Sequence, residues 1–220
     1  MNTATARTVH LFVFDTMADW EAAYAVAAIN NPQFQTEPGP GSPRTGPGSW
    51  GGVGYRVLTA AATLAPITTM GGVRIEPDVA LDAITPESSA MLILPGGCKW
   101  ENGDNAEALA LATRFIAAGV PVAAICAATL ALARAGLLDH LRHTSNAREY
   151  LISSGYRGTA FYCGAPAVTD GNVITATGLA PVDFAREIFK ALNLYSPAAI
   201  ESWYAMFKHC DASKVYALAS

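Results

Sequence analysis

The 220-residue sequence contains few charged residues, and they form no cluster of one sign. Asp, Glu, Lys and Arg together make up 15% of the chain, and the formal net charge is −4. Domains that bind nucleic acid usually carry a basic patch or stripe, so we expect no nucleic-acid partner. The apolar runs are shorter than the stretch of about 20 residues that a membrane-spanning helix needs, and the first residues do not form a secretory signal. We therefore expect a soluble, cytoplasmic protein.

Cysteine and histidine are also scarce, and their spacing matches no common metal motif. The cysteines are Cys98, Cys126, Cys163 and Cys210, and no two of them form a Cys-x-x-Cys pair. This spacing argues against a structural zinc site, and the four histidines suggest no metal set either, so we expect neither a metal nor a cofactor. An even number of cysteines is compatible with disulfides, but reduced thiols are the expected state in an intracellular protein.

Apolar segments of two kinds alternate along the chain, and hydrophobic residues make up 51% of it. The runs AMLILPGG at 90–97 and VPVAAIC at 120–126 are continuously apolar, as in parallel strands buried on both faces. The runs NAEALALATRFIAAG at 105–119 and AATLALARAG at 127–136 have helical character and end at a glycine. This alternation predicts an α/β fold, with a doubly wound, mostly parallel sheet that carries helices on both faces.

The length suits one domain covering residues 1–220 better than two small ones. Residues 32–54 are dense in Pro, Gly and Ser, which predicts a surface loop inserted between two strands. A helical extension is expected at about 196–220, where a serine cap precedes a proline at the first helical position. Hairpins are predicted at 65–78 and 167–178, each turning on a glycine-containing pair.

Cys126 stands where a predicted buried strand ends and a predicted helix begins. In open parallel sheets, ligands bind outside the carboxyl ends of the strands, so this residue lies at the functional edge. A strand–turn–helix junction of this kind is typical of a nucleophile elbow. The partial positive charge at a helix N-terminus lowers a thiol pKa, so we expect a reactive Cys126 with a depressed pKa. The alternative is a small buried hydrophobic residue.

The segment LPGGCKWE at 94–101 ends a neighbouring strand at the same edge of the sheet. We expect the backbone amides of its Gly96–Gly97 turn to face an anionic oxygen beside the sulfur, with the amide of Ala127 completing an oxyanion hole. The alternative is an ordinary turn that ends a strand.

The segment FDTMADWEAA at 14–23 follows the first predicted strand and opens a helix, so its acidic residues reach the same edge. Glu21 is the candidate acid or base, because repulsion from a thiolate raises the pKa of a nearby carboxyl and lets the pair share a proton. Helix capping is the simpler interpretation for Asp19.

Three further residues are candidates because of their position around this pocket. Cys98 follows Gly97 and would form a disulfide with an oxidised Cys126 if the two Cα atoms lay within about 7 Å, although two thiols that never pair are the simpler expectation. Trp20 and Trp100 are expected to wall the pocket, which suggests a small, partly apolar substrate. Core packing explains Trp20 equally well.

Together these segments resemble the ThiJ/PfpI superfamily, the Parkinsonism-associated deglycase-like group, which is related to class I glutamine amidotransferases. Besides Glu21, the resemblance rests on GGVRIEPDVALDA (71–83), LILPGG (92–97), AAICAATLALARAGLL (123–138) and ITATGLAPVDFAREIFKAL (174–192). It covers nearly the whole chain and implies a flavodoxin-like fold and a homodimer. It also implies Cys126 as the nucleophile, Glu21 as its acidic partner, and the amides of Gly97 and Ala127 as the oxyanion hole.

The sequence departs from the superfamily at three positions that bear on function. The protease-like branch has a histidine directly after the nucleophile, where this chain has Ala127, and the His-x-Glu of glutamine amidotransferases is absent from 174–192. Both activities are therefore disfavoured. Where the deglycase-like branch places its histidine, the stretch LRHTSNARE has Ser145 or Asn146, with His143 slightly earlier. His143 remains a candidate catalytic base, and a buried or surface histidine is the alternative.

These observations leave three functional hypotheses. The first is a hydrolase or lyase in which the Cys126 thiolate, assisted by Glu21, attacks a small electrophilic carbon in hydrolysis, hydration or glyoxalase-type chemistry. The second is a redox sensor or stress-protective protein in which Cys126 is oxidised instead. The third is a binding module without chemistry.

Overall fold

The structure, a computed structural model, describes residues 7–30 and 55–214. The predicted insertion at 32–54 and the last residues of the predicted C-terminal extension lie outside this part of the chain. The strands are β1 (Arg7–Phe12), β2 (Tyr55–Ala61), β3 (Ile67–Thr68), β4 (Arg74–Ile75), β5 (Val79–Ala80), β6 (Ser89–Leu94), β7 (Val122–Ile125), β8 (Ala167–Asp170) and β9 (Val173–Ala176). The helices are α1 (Asp19–Asn30), α2 (Lys99–Asn102), α3 (Ala106–Ala117), α4 (Ala127–Arg134), α5 (Arg148–Ile152), α6 (Pro181–Leu192) and α7 (Pro197–His209).

Seven of the strands form one sheet in the order β5-β2-β1-β6-β7-β9-β8. Every neighbouring pair is parallel except β8 and β9, which form an antiparallel hairpin. The central order β2-β1-β6-β7-β9 is that of a flavodoxin-like sheet. The mostly parallel, flavodoxin-like fold expected from the sequence is thus confirmed.

The two central strands explain why their sequences are apolar throughout. Every residue of β6 and β7 is buried, as expected for strands whose two faces are both covered. Helix α6 packs against α1 and α7, while α2 and α5 pack against α4. The glycines expected to close α3 and α4, Gly119 and Gly136, have φ values of +74° and +72°, which fits a left-handed residue after a helix.

Both predicted hairpins are present, β8–β9 in the main sheet and β3–β4 as a separate antiparallel pair. The β3–β4 hairpin is fastened to the turn between β1 and α1. Asp15 Oδ1 accepts a hydrogen bond from the Thr68 amide at 2.8 Å, and Asp19 Oδ2 accepts one from the Gly71 amide at 2.7 Å. The Asp19 carboxylate, suggested by the sequence as a helix cap, thus holds a distant hairpin in place.

The C-terminal helix α7 begins as predicted. Ser196 Oγ accepts a hydrogen bond from the Ala199 amide at 3.2 Å, and Pro197 occupies the first helical position. Its Trp203 is buried with its ring centroid 4.7 Å from that of Phe189. No helix between residues 7 and 214, where described, combines the length and apolar character needed to cross a bilayer.

Candidate active site

Cys126 forms a sharp turn between the end of β7 and the start of α4. Its backbone lies at φ +59° and ψ −128°, a conformation rare for a residue with a side chain, and its amide donates to the carbonyl of Ala176 at the end of β9 at 3.0 Å. Thr129 Oγ1 donates to the Cys126 carbonyl and contacts Ser145 Oγ, both at 2.6 Å. The geometry is that of the predicted nucleophile elbow, in which surrounding hydrogen bonds hold a strained residue in place.

Two glycines leave room for the sulfur at this turn. A Cβ atom added to Gly96 would lie 2.6 Å from Cys126 Cβ and 2.9 Å from Cys126 Sγ, and one added to Gly178 would lie 2.9 Å from the same sulfur. Real Cβ atoms do not approach other atoms so closely. Gly96 was expected at the site from its sequence, whereas the role of Gly178, which follows β9, was not foreseen.

Glu21 lies in the first turn of α1 and is 1% exposed. Its Oε2 accepts a hydrogen bond from the Gly96 amide at 2.5 Å, and the carboxylate also accepts one from the Cys126 thiol. Burial raises the pKa of Glu21, and these two hydrogen bonds offset part of that rise. The carboxyl therefore keeps its proton to a higher pH than an exposed glutamate does.

The Cys126 thiol also titrates late, because its pKa is raised to about 11. Burial is the largest cause and the charge of Glu21 the second, while hydrogen bonds from Asn146 and the Ala127 amide lower the pKa in part. The depressed pKa expected from the position of Cys126 at a helix N-terminus is therefore wrong. With its pKa raised to about 11, the thiol therefore keeps its proton at neutral pH.

Asn146 contacts the Cys126 sulfur, although the sequence predicts no role for it. Its Nδ2 donates to Cys126 Sγ at 3.2 Å, and its Oδ1 accepts from the Gly178 amide at 2.9 Å. The alignment of LRHTSNARE with the deglycase-like branch was the available signal, because it placed Asn146 close to the position of that branch's histidine. A carboxamide orients a sulfur atom, but it does not take up or release a proton near neutral pH.

His143, the predicted catalytic base, is not brought to the sulfur. The residue is fully buried, with its Nδ1 2.7 Å from the Leu141 carbonyl and its Nε2 3.1 Å from the Tyr156 hydroxyl. Burial lowers its pKa, so the ring is held in the neutral form. These contacts correct the prediction of a catalytic role: His143 belongs to the packing beneath the site, and Asn146 is the residue bonded to Cys126.

The two candidate oxyanion glycines differ in their surroundings. The Gly96 amide donates to Glu21, so of the two glycine amides that of Gly97 stays the predicted oxyanion donor. Gly97 has φ +151°, and a Cβ there would lie 2.9 Å from the ring of Phe14 and 3.0 Å from the carbonyl of Thr16. Only glycine therefore fits this turn.

The remaining pocket candidates, Cys98, Trp20 and Trp100, differ in how exposed they are. Cys98 is exposed, and both it and Cys126 are free thiols. Trp20 is 49% exposed on α1. Trp100 is 2% exposed, and its Nε1 donates to the Pro95 carbonyl at 2.8 Å. Because the Trp100 ring also packs edge-on against Phe12 and Phe14, it is a core residue that supports the turn at Gly96, which corrects its prediction as a pocket wall.

A tyrosine lies close enough to Cys126 to respond to its charge. Burial raises the pKa of Tyr150 first, then its hydrogen bond to Glu101, and the charge of Cys126 contributes further. Its hydroxyl donates to Glu101 Oε1 at 2.9 Å, and Arg134 Nη1 donates to the Glu101 carbonyl at 2.9 Å. Across the residues that the structure describes, no three His, Cys, Asp or Glu side chains converge as a metal site.

Comparisons of the sequence and of the structure with known proteins find relatives of the same family. Residues 7–191 match the DJ-1/PfpI family. A Bacillus subtilis protein described as the uncharacterized protease YoaZ is 37% identical over 204 residues, which are 92% of this chain and 91% of that protein. A deglycase of Pyrococcus horikoshii is 30% identical over 146 residues, or 64% of this chain and 84% of its own. The crystal structure of a thiJ/pfpI family protein from Bacillus anthracis has a TM-score of 0.86 at 38% identity and covers 98% of this chain and 96% of its own. The chain therefore belongs to the DJ-1/PfpI family.

Proposed function

We propose that the protein is a cysteine-dependent enzyme that adds the Cys126 sulfur to a small electrophilic carbon, above all the carbon of an aldehyde or ketone. The observation that carries this proposal is the buried carboxyl of Glu21, hydrogen-bonded to the Cys126 thiol. A nucleophile and its proton acceptor are in direct contact there. The pair needs no histidine to move a proton between them.

The first chemical step balances without any further reactant. As the bond between Cys126 Sγ and the carbonyl carbon forms, Glu21 accepts the thiol proton and the π electrons of the carbonyl move to its oxygen. The amides of Gly97 and Ala127 stabilise that oxygen while it is negative. Glu21 then returns the proton to the oxygen, and a thiohemiacetal results. Rearrangement of this adduct and release of the product from the Cys126 sulfur would complete turnover.

Peptide cleavage is disfavoured, because Ala127 stands where the protease-like branch has a histidine directly after the nucleophile. The names of the relatives point both ways, since one is described as a protease and another as a deglycase.

The test is a substrate panel of methylglyoxal, an isonitrile and a fluorogenic peptide, assayed with wild-type protein and three variants. We expect turnover of the aldehyde by the wild type and by Cys98→Ser, an exposed-thiol control, and none by Cys126→Ser or Glu21→Gln. Intact mass spectrometry should find the adduct on Cys126. Aldehyde turnover that survives Cys126→Ser, or peptide cleavage without aldehyde turnover, would refute the proposal.

We further propose, from the family resemblance, that the protein is a homodimer. Helix α7 adds no second ground, because its apolar residues Ala199, Ile200 and Trp203 are buried within the chain itself. The proposal of a dimer therefore rests on the resemblance. Sedimentation velocity at micromolar concentration tests it, and a monomer would end it.

A further inference from the structure

The first turn of α4 and the segment that precedes α5 meet at two buried hydroxyl groups. Thr129 Oγ1 and Ser145 Oγ lie 2.6 Å apart, and the two residues are 0% and 2% exposed. Thr129 Oγ1 also donates a hydrogen bond to the Cys126 carbonyl oxygen at 2.6 Å. The pair therefore joins the backbone of the proposed nucleophile to a segment that is distant in the chain.

The directions of these two hydrogen bonds follow from the number of hydrogen atoms available. A hydroxyl group has one hydrogen to donate and accepts through its lone pairs. The Thr129 hydroxyl gives its hydrogen to the Cys126 carbonyl, so Ser145 is the donor in the contact between the two hydroxyls. The series thus runs from Ser145 through Thr129 to Cys126. Loss of the Thr129 hydroxyl would leave the buried Ser145 hydroxyl without this acceptor, which is costly.

Asn146, the next residue, is exposed even though it contacts the Cys126 sulfur. Its Nδ2 donates to Sγ at 3.2 Å, and its Oδ1 accepts from the Gly178 amide at 2.9 Å. The rotamer freedom of a side chain that is not packed opposes a fixed orientation. The orientation of Asn146 therefore depends on these two hydrogen bonds and on a backbone that is held in place beside it.

The backbone that precedes this asparagine is held from two sides. The Thr144 amide donates to Thr175 Oγ1 in β9 at 2.9 Å, and both residues are buried. Ser145 donates to Thr129 in α4 from the other side. The first contact ties the segment to the sheet, whereas the second sets its position relative to Cys126, since Thr129 bonds both Ser145 and the Cys126 carbonyl.

We propose that Thr129 and Ser145 are positioning residues that hold Asn146 against the Cys126 sulfur. Ser145 acts through its neighbour Asn146, and Thr129 acts by joining Ser145 to the backbone of Cys126. The hydrogen bond from Asn146 lowers the pKa of the Cys126 thiol, so a displaced Asn146 leaves the thiol less reactive. The expected effect on turnover rests on the proposed function, whereas the expected effect on the thiol does not.

Ser145→Ala removes the donor with a small change in volume and tests the proposal at the thiol. Below the thiol pKa, the rate of Cys126 alkylation by iodoacetamide follows the small thiolate fraction. We expect Ser145→Ala to slow this alkylation about three- to tenfold at pH 8, and to lower kcat by a similar factor with KM little changed. The other three cysteines, which are exposed, are replaced by serine in every protein compared.

Substitutions of Thr129 separate the hydroxyl from the shape of the side chain. Thr129→Val keeps the shape but breaks the link to both neighbours, so alkylation should slow at least as much as in Ser145→Ala. Thr129→Ser keeps the hydroxyl and should alkylate at a rate close to that of the wild type. Equal losses in Thr129→Val and Thr129→Ser would refute the proposal, and this comparison holds even if Ser145→Ala does not fold.

A double-mutant cycle with Asn146→Ala distinguishes positioning from a general structural role. Substitutions that act through one contact are non-additive, whereas independent ones add. In the Asn146→Ala background, Ser145→Ala should therefore change neither alkylation nor turnover, because the contact that Ser145 supports is already lost. The control Ser89→Ala removes a buried serine hydroxyl at the amino end of β6; it should lower the stability to urea and leave alkylation unchanged.

Two further results would overturn the proposal. One is an alkylation rate that Ser145→Ala leaves unchanged, and the other is an equal fold-change by Ser145→Ala with and without Asn146. Failure of the proposed function looks different, because the wild type would then turn over no aldehyde while the differences in alkylation persisted.

Discussion

Replacing Glu21 by glutamine should lower the pKa of the Cys126 thiol. The carboxylate charge and the thiol's hydrogen bond to it both raise that pKa, to about 11 in the wild type. Glutamine keeps the length of the side chain and an oxygen that can accept from the Gly96 amide, but it carries no charge. The substitution therefore removes the electrostatic cause and leaves the burial largely in place.

The size of the decrease follows from the contact between the two groups. Two unit charges about 4 Å apart interact by about 4 kcal/mol at an effective dielectric constant of about 20, which corresponds to about 3 pKa units. Cys126 is half-buried, so solvent screening reduces this figure. We expect a decrease of about 1–3 units, to a value of about 8–10.

Iodoacetamide alkylation as a function of pH measures this value directly. The other three cysteines are exposed, so the assay uses a background in which Cys98, Cys163 and Cys210 are serine. Glu21→Asp is the control that shortens the side chain but keeps its charge. A wild-type thiol pKa below 7, or one that Glu21→Gln leaves unchanged, would refute the argument from burial and charge.

Three further predictions follow from the same contacts. Because burial raises the folded-state pKa of Glu21, the stability of the wild type falls as pH rises from about 4.5 through that pKa. In urea unfolding, Glu21→Gln should therefore gain stability relative to the wild type between pH 4 and pH 7, and a stability difference that is equal at the two pH values would contradict this. Gly178→Ala should lower kcat/KM at least about 100-fold, since the new Cβ would displace Cys126. In the control Gly72→Ala, the added Cβ has no atom within 4 Å, so kcat/KM should stay unchanged apart from any loss of stability. Asn146→Asp keeps the acceptor for the Gly178 amide but loses the donor to the sulfur, so the Cys126 pKa should rise and turnover should fall about tenfold. Unchanged alkylation kinetics of Cys126 would show that Asn146 does not influence the thiol.

Local patterns in the sequence were sufficient to place Cys126, Glu21 and Gly96 at one edge of the sheet. Each follows a segment that reads as a buried strand, and the carboxyl ends of parallel strands meet at one edge whatever the details of packing. The same patterns predicted the hairpins, the ends of α3 and α4, and the capped start of α7. These features depend on spacings of a few residues, which a sequence displays directly.

Contacts between distant segments decided the rest. The choice between His143 and Asn146 depended on where the chain after α4 comes back to the sulfur, and an offset of three residues separates a buried packing residue from a direct contact. The Cys126 pKa was misjudged because the helix N-terminus is visible in the sequence, whereas burial and the approach of Glu21 are sums over three-dimensional neighbours. Gly178 and the hydroxyl pair of Thr129 and Ser145 likewise acquire meaning only from atoms far away in the chain. The sequence by itself determined which elements form and which edge carries the chemistry, while the tertiary structure decided which side chain touches the sulfur and where the proton resides.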